Sequence, residues 1–598
     1  MLLFDYHQES RQAVLSWERQ DDGQKWLKLL CGTCLDTSDA AQREGSQAIT
    51  LPWWAFLAIR PEILNIVSAF QLRSGHEFKI STIANDMLNE ARIRQESFLS
   101  DNPSNIDNSD LKIRLKSIGF ERELTEQQMR NVAKLLNRRS GATFSVPGAG
   151  KTTEALAFYA LNAGENDSLL VVAPKNAFSA WDEQIVECIP SINAQFERLR
   201  KTDKIPVQLR DRPKLMIIGY QQLVRVSDNI SNFLFENDVH VFLDESHRVK
   251  NPNSQATQAI LKFSHLPKSK LIMSGTPMPQ SVEDLVPQFN FLYPEVRASA
   301  KSVVDLIQKV YVRTNKAELS LPEVRRKLTK LKMDPAQAKL YRLLRSEIAR
   351  EAERALSENT KFALRRFGRS VTSLLQFVSN PALLAHKPEF KFADELSDAL
   401  AEGDGPKIRY VIDRTRQLTQ SGHKVLIWTS FVKNVEYLAE CFRDLGAVYI
   451  HGGVDAGSDE DEDTREGKIK KFHDDDNVQV MIANPAAASE GISLHRVCHH
   501  AIYLDRNFNA AQYLQSEDRI HRLGLAKHQL TYLDVVECMG TIDETVRVRL
   551  EIKVNAMARV LEDSSLNISP LETSEEEFDT AALDMGDIQA LVATFGQP

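Results

Sequence analysis

The stretch Ser145-Val146-Pro147-Gly148-Ala149-Gly150-Lys151-Thr152-Thr153 constrains this chain more than any other. A short apolar run, Ala142-Thr143-Phe144, precedes it, and a helix pattern, Glu154-Ala155-Leu156-Ala157-Phe158, follows. Strand, glycine loop, Lys, Thr and helix in that order build a phosphate cradle. The glycines let backbone N–H groups turn toward an anion, and the helix N-terminus adds partial positive charge. In such a cradle Gly148, Ala149 and Gly150 line the phosphates, with Thr152 and Thr153 at the helix start. Lys151 reaches the β- and γ-phosphates, and the Thr152 hydroxyl ligates Mg²⁺. The first position is Ser145, where Gly or Ala is usual, so the loop by itself leaves a chance glycine turn open.

A chain of 598 residues is too long for one core and predicts three or four domains. Its formal net charge is −8, so any nucleic-acid-binding face must be a local groove. No apolar run reaches the roughly 18 residues that span a bilayer. The start, Met1-Leu2-Leu3-Phe4-Asp5, lacks the basic and apolar regions of a signal peptide. Six scattered Cys suit a reducing compartment, and the expected location is cytoplasmic. Cys31-Gly32-Thr33-Cys34 reads either as metal ligands or as two structural thiols, with no second pair at zinc-ribbon spacing.

Residues 1–115 read as a mainly helical accessory domain, with helical periodicity over Arg11 to Leu30, Trp54 to Phe70 and Ile80 to Phe98. Pro52-Trp53-Trp54 offers core aromatics at a helix start or an exposed stacking site. The polar segment Leu99 to Asp110 has linker composition. Residues 116–320 then alternate helices and buried-type strands, which predicts a parallel sheet covered on both faces with its site at the strands' carboxyl ends. An amphipathic helix carries Val132, Leu135 and Leu136, and Gln128 at its start offers an amide donor–acceptor pair for an adenine edge.

Apolar strands end at Ala173-Pro174-Lys175, at Gly219-Tyr220, at Asp244-Glu245-Ser246-His247 and at Ser274-Gly275-Thr276-Pro277. Adjacent carboxylates at a strand end supply the other half of an ATP site: Asp244 holds Mg²⁺, and Glu245 orients and deprotonates the attacking water. Residues 321–405 read as a helical insertion, and 406–562 as a second α/β lobe without a glycine loop. The acidic run Asp459-Glu460-Asp461-Glu462-Asp463 reads as a solvated loop, and 563–598 as an acidic flexible tail. In Gln515-Ser516-Glu517-Asp518-Arg519-Ile520-His521-Arg522, Arg519 and Arg522 lie three apart on an expected helix. Two guanidiniums on one face suit a polyphosphate, although for Arg-x-x-Arg alone a solvated basic face is the better explanation.

In this order the motifs resemble superfamily 2 helicases, and within them the SNF2-like DNA translocases, over roughly Leu124 to Val560. Asp244 to Asn251 is similar to that family's extended box, and Val312-Arg313-Thr314-Asn315-Lys316 with Leu321-Pro322 to its exit from lobe one. Lobe two follows with Ile427-Trp428-Thr429-Ser430-Phe431, Glu490-Gly491-Ile492-Ser493-Leu494 and Gln515 to Arg522. Departures stand at Ser145-Val146-Pro147, Ser379-Asn380-Pro381, Phe508-Asn509-Ala510 and Gly524-Leu525, which mark a divergent branch, expected to be bacterial.

The resemblance implies two RecA-like lobes with ATP and Mg²⁺ in the cleft between them. Lobe one supplies Gln128, Lys151, Thr152, Asp244 and Glu245, and lobe two supplies Arg519 and Arg522. It further implies that Lys175, Ser430 and Phe431 lie along a track for double-stranded DNA, and that Glu490 and Gly491 couple that track to ATP. The expected function is DNA-dependent ATP hydrolysis driving translocation, in bacterial genome maintenance or anti-phage defence, with residues 1–115 free to take a protein partner. A strand-separating DNA or RNA helicase and an ATP-dependent switch subunit remain as alternatives.

Overall fold

The computed structural model describes residues 1–17, 30, 42–44, 48–74, 77–100, 106–192, 195–358, 361–385, 390–455, 461–488, 493–522, 524–526, 528–563, 566, 587, 589–591 and 593. The chain divides into two compact units, residues 1–278 with 282–314 and residues 279–281 with 315–598. Cys31 and Cys34 lie outside the described residues, as do Glu490, Gly491 and, of the acidic run, Asp459 and Glu460.

The main sheet of the first unit has seven strands, all parallel. From edge to edge they are Tyr311–Val312, Ser140–Thr143, Ser269–Met273, Val239–Leu243, Ser168–Val172, Leu215–Ile218 and Glu197–Arg198. A parallel sheet covered on both faces needs strands that are apolar without alternation. Ser168–Val172, Leu215–Ile218 and Val239–Leu243 are accordingly buried along their whole length. The helix Lys151–Asn162 covers one face and buries Ala155, Leu156 and Phe158 in a core with Trp181, Phe242 and Val171. Three adjacent strand ends therefore carry, side by side, the glycine loop, the turn Ser274–Pro277 and the pair Asp244-Glu245.

Residues 1–99 depart from the expected helical pattern. The helices Trp53–Ser74 and Thr82–Leu99 stand where periodicity places them, but they accompany a five-stranded sheet. Gln12–Trp17, expected at the start of a helix from Arg11, is a strand paired antiparallel with Leu2–His7. Its inward residues Ala13, Leu15 and Trp17 recur every second position, as do Leu2, Phe4 and Tyr6. That is a strand period, which six residues beside a helix-like polar run conceal. Trp53 is a core aromatic, stacked near Phe4 and Phe56. This domain is fastened to the rest of the unit by buried polar contacts: the Tyr6 hydroxyl lies 2.8 Å from His265 Nε2, and Arg11 donates to Asn232 Oδ1 at 2.8 Å.

The second unit has a six-stranded parallel sheet: Val324–Leu331, Thr531–Cys538, His500–Tyr503, Val425–Trp428, Val480–Ala483 and Val448–Ile450. Its first strand corrects the expected helical insertion, which begins only with Pro335–Glu358 and continues with Lys361–Ser379 and Ala393–Ala401. Val324–Leu331 carries Arg325, Arg326, Lys327 and Lys330, a composition that hides a strand but suits a sheet edge.

Most of the expected flexible tail lies outside the described residues, but Asp587 within it is described. Asp587 is buried and pairs with Lys553 at 2.6 Å and with Arg549 on the helix Ile542–Val560. Removing one member of a buried ion pair costs about 3–5 kcal/mol, because its partner stays buried without a counter-charge. Asp587→Ala is therefore expected to lower the thermal midpoint of the second unit by several degrees in calorimetry. An unchanged midpoint would mean that this contact contributes nothing.

Candidate active site

The glycine loop leaves the strand Ser140–Thr143 and closes on the helix Lys151–Asn162. Gly148 and Gly150 adopt φ of 88° and 82°, backbone that L side chains avoid. A Cβ on Gly150 would also lie 2.2 Å from Gln128 Nε2. The loop is thus shaped at two positions by backbone that favours glycine. Lys151 Nζ donates to the Ser145 carbonyl at 3.0 Å, which curls the ammonium over the loop. Thr152 is half-buried at the helix start, whereas Thr153 is buried and donates to Gln184 Oε1 at 2.9 Å. Of the two, Thr152 is the more exposed.

Gln128 is committed more heavily than a base-reading residue requires. Its Nε2 donates to the Ala149 carbonyl at 3.0 Å, and its Oε1 accepts from the Thr125 N–H at 3.0 Å. The Thr125 hydroxyl accepts from the Gln128 N–H in return, closing a reciprocal cap on the helix Glu126–Leu136. The amide keeps one N–H and one lone pair for a ligand.

Asp244 and Glu245 follow the buried strand Val239–Leu243. Trp181 Nε1 donates to Asp244 Oδ2 at 3.0 Å, and the Tyr220 hydroxyl donates to the Asp244 carbonyl at 2.6 Å. Burial and the neighbouring Glu245 lift the Asp244 carboxyl to about 6, against the pull of the Trp181 N–H and the Lys151 charge. Glu245 sits at φ 49°, ψ 52°, a left-handed conformation that costs a non-glycine residue energy and that clusters at functional sites. His247 Nδ1 lies 3.3 Å from Glu245 Oε2 and 3.1 Å from Ser274 Oγ, which links the box to the neighbouring turn. Gly275 in that turn packs on the glycine loop so closely that a Cβ would lie 2.9 Å from Pro147 Cδ.

Two supporting residues carry no local motif. Asn131 Nδ2 donates to Glu154 Oε1 at 2.8 Å and to Thr314 Oγ1 at 3.0 Å. Glu154, on the cradle's own helix, also accepts from Thr143 Oγ1 at 2.7 Å. Burial lifts the Glu154 carboxyl from 4.5 to about 7. The folded state then holds this proton more tightly than the unfolded chain, so stability falls as pH rises across that window. Glu154→Gln keeps the shape without the charge, its amide oxygen accepting from Asn131 and its NH₂ turned to donate to the Thr143 hydroxyl. It is expected to raise stability by about 3 kcal/mol at pH 8 and to lose that advantage near pH 5. Denaturant unfolding of the nucleotide-free protein at the two pH values measures this; a pH-independent difference would contradict it.

In the second unit, Thr429, Ser430 and Phe431 follow the strand Val425–Trp428, beside Asp505 past the end of His500–Tyr503. The Asp505 carboxylate accepts from the Ser430 N–H at 2.7 Å, from Thr429 Oγ1 at 2.7 Å and from Ser379 Oγ. Asn434 Nδ2 donates to Ser379 Oγ at 2.9 Å, and Asn380 Nδ2 to Asn434 Oδ1 at 2.9 Å. Ser430 and Phe431 are both buried. As placed they shape the loop instead of facing a surface ligand, whereas Lys175 is exposed past the strand Ser168–Val172. Asp505 was missed in the sequence, though it follows an apolar strand much as Asp244 does.

The helix expected under Arg519 and Arg522 ends earlier. Ala510–Glu517 is the helix, and both arginines lie in the turn beyond it. There the bonds tighten to three-residue spacing, Arg519 N–H to the Ser516 carbonyl and Ile520 N–H to the Glu517 carbonyl. Arg519 is buried and donates from Nε to the Gln515 carbonyl at 3.0 Å, while Arg522 is half-buried.

Residues 126–303 match the model of the SNF2-related domain, and residues 406–524 that of the helicase conserved C-terminal domain. The chain carries an SNF2-related domain followed by a helicase C-terminal domain. The SNF2-related domain holds the glycine loop and the Asp244-Glu245 pair, and the helicase domain holds Ser430, Phe431, Arg519 and Arg522. Over 434 residues the chain is 25% identical to the CHD3-type chromatin-remodeling factor CHR7 of Arabidopsis thaliana, covering 69% of this chain and 34% of that protein. It is 21% identical to the SWI/SNF chromatin-remodeling complex subunit snf22 of Schizosaccharomyces pombe, covering 74% and 28%. The ATP-dependent DNA helicase DDM1 of Arabidopsis thaliana is 23% identical, covering 76% and 64%. The chain thus spans about a third of the length of the first two relatives. A Sulfolobus solfataricus SWI2/SNF2 ATPase core in complex with dsDNA is similar at 18% identity over 79% of this chain and 97% of that one, with a TM-score of 0.32. At that score the likeness adds nothing to the fold described above.

Among the described residues no group of three or more His, Cys, Asp or Glu is gathered that could cage a metal ion, and no helix is long and apolar enough to cross a membrane. Mg²⁺ at a nucleotide site needs no such cage, since one or two protein oxygens share it with phosphates and water. The glycine cradle, Lys151, Thr152 and Asp244 fit that arrangement.

Proposed function

We propose that the chain is an ATP-dependent DNA translocase of the SNF2-like kind, which hydrolyses ATP and couples it to movement along double-stranded DNA. The observation that carries the reading is the juxtaposition, on the ends of three neighbouring strands, of a loop built on positive-φ glycines and a half-buried carboxylate pair. Lys151 and the loop's N–H groups hold the phosphates, and Gln128 has one N–H and one lone pair left for the base. Thr152 and Asp244 would hold Mg²⁺, which neutralises phosphate charge when bound. Glu245 orients and deprotonates the attacking water, and His247, 3.3 Å away, fixes its carboxylate. Arg519 and Arg522 supply guanidiniums for the charge that develops on the γ-phosphoryl group, so turnover requires both units.

For DNA the reading rests on the two matched domains and on Lys175, exposed past a strand end. With Ser430 and Phe431 buried, the contact in the second unit is assigned to the backbone of their loop, held in place by Asp505. Such contacts go to phosphate, so binding is salt-sensitive and nearly independent of sequence. A protein partner on residues 1–115 and a bacterial role in genome maintenance or defence belong to the same proposal. The test sets displacement of a triplex-forming strand beside displacement of one strand of a duplex. A translocase removes the third strand with ATP and leaves the duplex intact; duplex unwinding would replace this reading with a strand-separating helicase.

A further inference from the structure

The chain passes from the first unit to the second between Thr314 and Asn315. On the first side it is stitched to the entry of the glycine loop. The Thr314 N–H donates to Ser145 Oγ at 3.0 Å, and the Val146 N–H donates to the Thr314 carbonyl at 3.0 Å. Arg313 donates to the Phe144 carbonyl, and Asn131 holds the Thr314 hydroxyl at 3.0 Å. Ser145, the residue that departs from the usual Gly or Ala, is fully buried, and its hydroxyl is the acceptor that makes the first of these bonds possible.

On the second side the same segment grips the turn that bears the two arginines. Lys316 pairs with Asp518 at 2.6 Å. His521 Nε2 donates to the Pro322 carbonyl at 2.8 Å. Arg326 makes a two-pronged pair with Glu517 at 2.8 and 3.0 Å. Burial opposes the Glu517 charge, yet Arg326 and Lys316 hold that carboxyl down at about 2. Glu517 and Asp518 precede Arg519, and His521 precedes Arg522, so every grip falls within two residues of an arginine. Little slack separates the two ends, because the two residues from Thr314 to Lys316 span at most about 7 Å.

We propose that residues 313–326 are a strap that sets Arg519 and Arg522 according to the state of the glycine loop, with Ser145, Lys316 and Arg326 as positioning residues. This rests on the ATP-hydrolysing reading above. A displacement at the loop's entry passes along the short segment from Thr314 to Lys316, and so to Asp518. The strap touches no reacting atom; it acts by holding two guanidiniums where the chemistry requires them. Misplacing such a group by about 1 Å costs up to roughly 10²-fold in rate.

The test uses the full chain with saturating duplex DNA. Lys316→Ala is expected to lower kcat by roughly 10–100-fold while KM for ATP hardly changes; the thermal midpoint also falls, because Asp518 stays buried without its counter-charge, and the arginine variant separates the two effects. Lys316→Arg restores most of the rate, and the swap of Lys316→Asp with Asp518→Lys recovers more than either single change. As a readout independent of turnover, a non-hydrolysable ATP analogue slows amide exchange at residues 517–522 in the wild type, and this response is lost in Lys316→Ala. An unchanged kcat, a retained exchange response, or a rate loss that follows a fallen midpoint without rescue by Lys316→Arg would overturn the strap. A wild-type chain that neither binds nor hydrolyses ATP would instead overturn the reading on which it rests.

Discussion

Arg522→Ala is expected to cut ATP turnover by roughly 10³–10⁵-fold while leaving nucleotide binding nearly intact. The size follows from what a guanidinium does for phosphoryl transfer. Charge spreads over the γ-phosphoryl oxygens as the bond to the leaving group loosens, and a planar donor meets that charge without reorganising. Arg522 is half-buried in the turn beyond Glu517, so its removal opens little of the core. Arg519 differs. It is buried, its Nε is bonded to the Gln515 carbonyl and its own carbonyl accepts from the Leu494 N–H at 2.9 Å. Arg519→Ala should therefore lose stability as well as rate. Single-turnover phosphate release with an unfolding curve for each variant separates the two effects, and full activity in Arg522→Ala would remove that residue from the site.

Glu245→Gln is expected to slow turnover by roughly 10²–10⁴-fold with ATP still bound, because an amide cannot take the proton of the attacking water. The backbone here is held left-handed at φ 49°, and it stays so only because its surroundings determine it. Asp244 Oδ1 accepts the Glu245 N–H at 2.9 Å, and Trp181 and Tyr220 fix Asp244 in turn. Gln keeps that geometry, so trapped nucleotide without hydrolysis is the signature to look for. Lys151→Ala makes the contrast: the cradle loses its lysine charge, and binding falls along with turnover. A Glu245→Gln variant with wild-type turnover would assign the base elsewhere.

How far the sequence goes depends on how local each signal is. Strands buried on both faces announce themselves as apolar runs, so Ser168–Val172, Val239–Leu243 and Val480–Ala483 could be placed from residues alone. The glycine loop and the Asp244-Glu245 pair are local as well. Gln12–Trp17 and Val324–Leu331 were misplaced because an alternating or charged strand is only half a signal without its sheet. The helix before Arg519 stops at Glu517, where Arg326, distant in sequence, takes hold of the Glu517 carboxylate. Asn131 reaches Thr314, and Asp505 reaches Ser430; each pair is far apart along the chain, and no spacing rule could join them. Ser145 shows the reverse case. It read as a flaw in the motif until its hydroxyl was seen to accept the Thr314 N–H.

The central claim is that ATP hydrolysis here serves movement on double-stranded DNA. The most direct test measures steady-state ATP hydrolysis with no nucleic acid, with single-stranded DNA, with duplex DNA and with RNA, each at rising salt. The expected result is a low basal rate, strong stimulation by duplex DNA above the other two, and loss of that stimulation as salt screens phosphate contacts. A rate indifferent to nucleic acid, or one stimulated best by RNA, would contradict it.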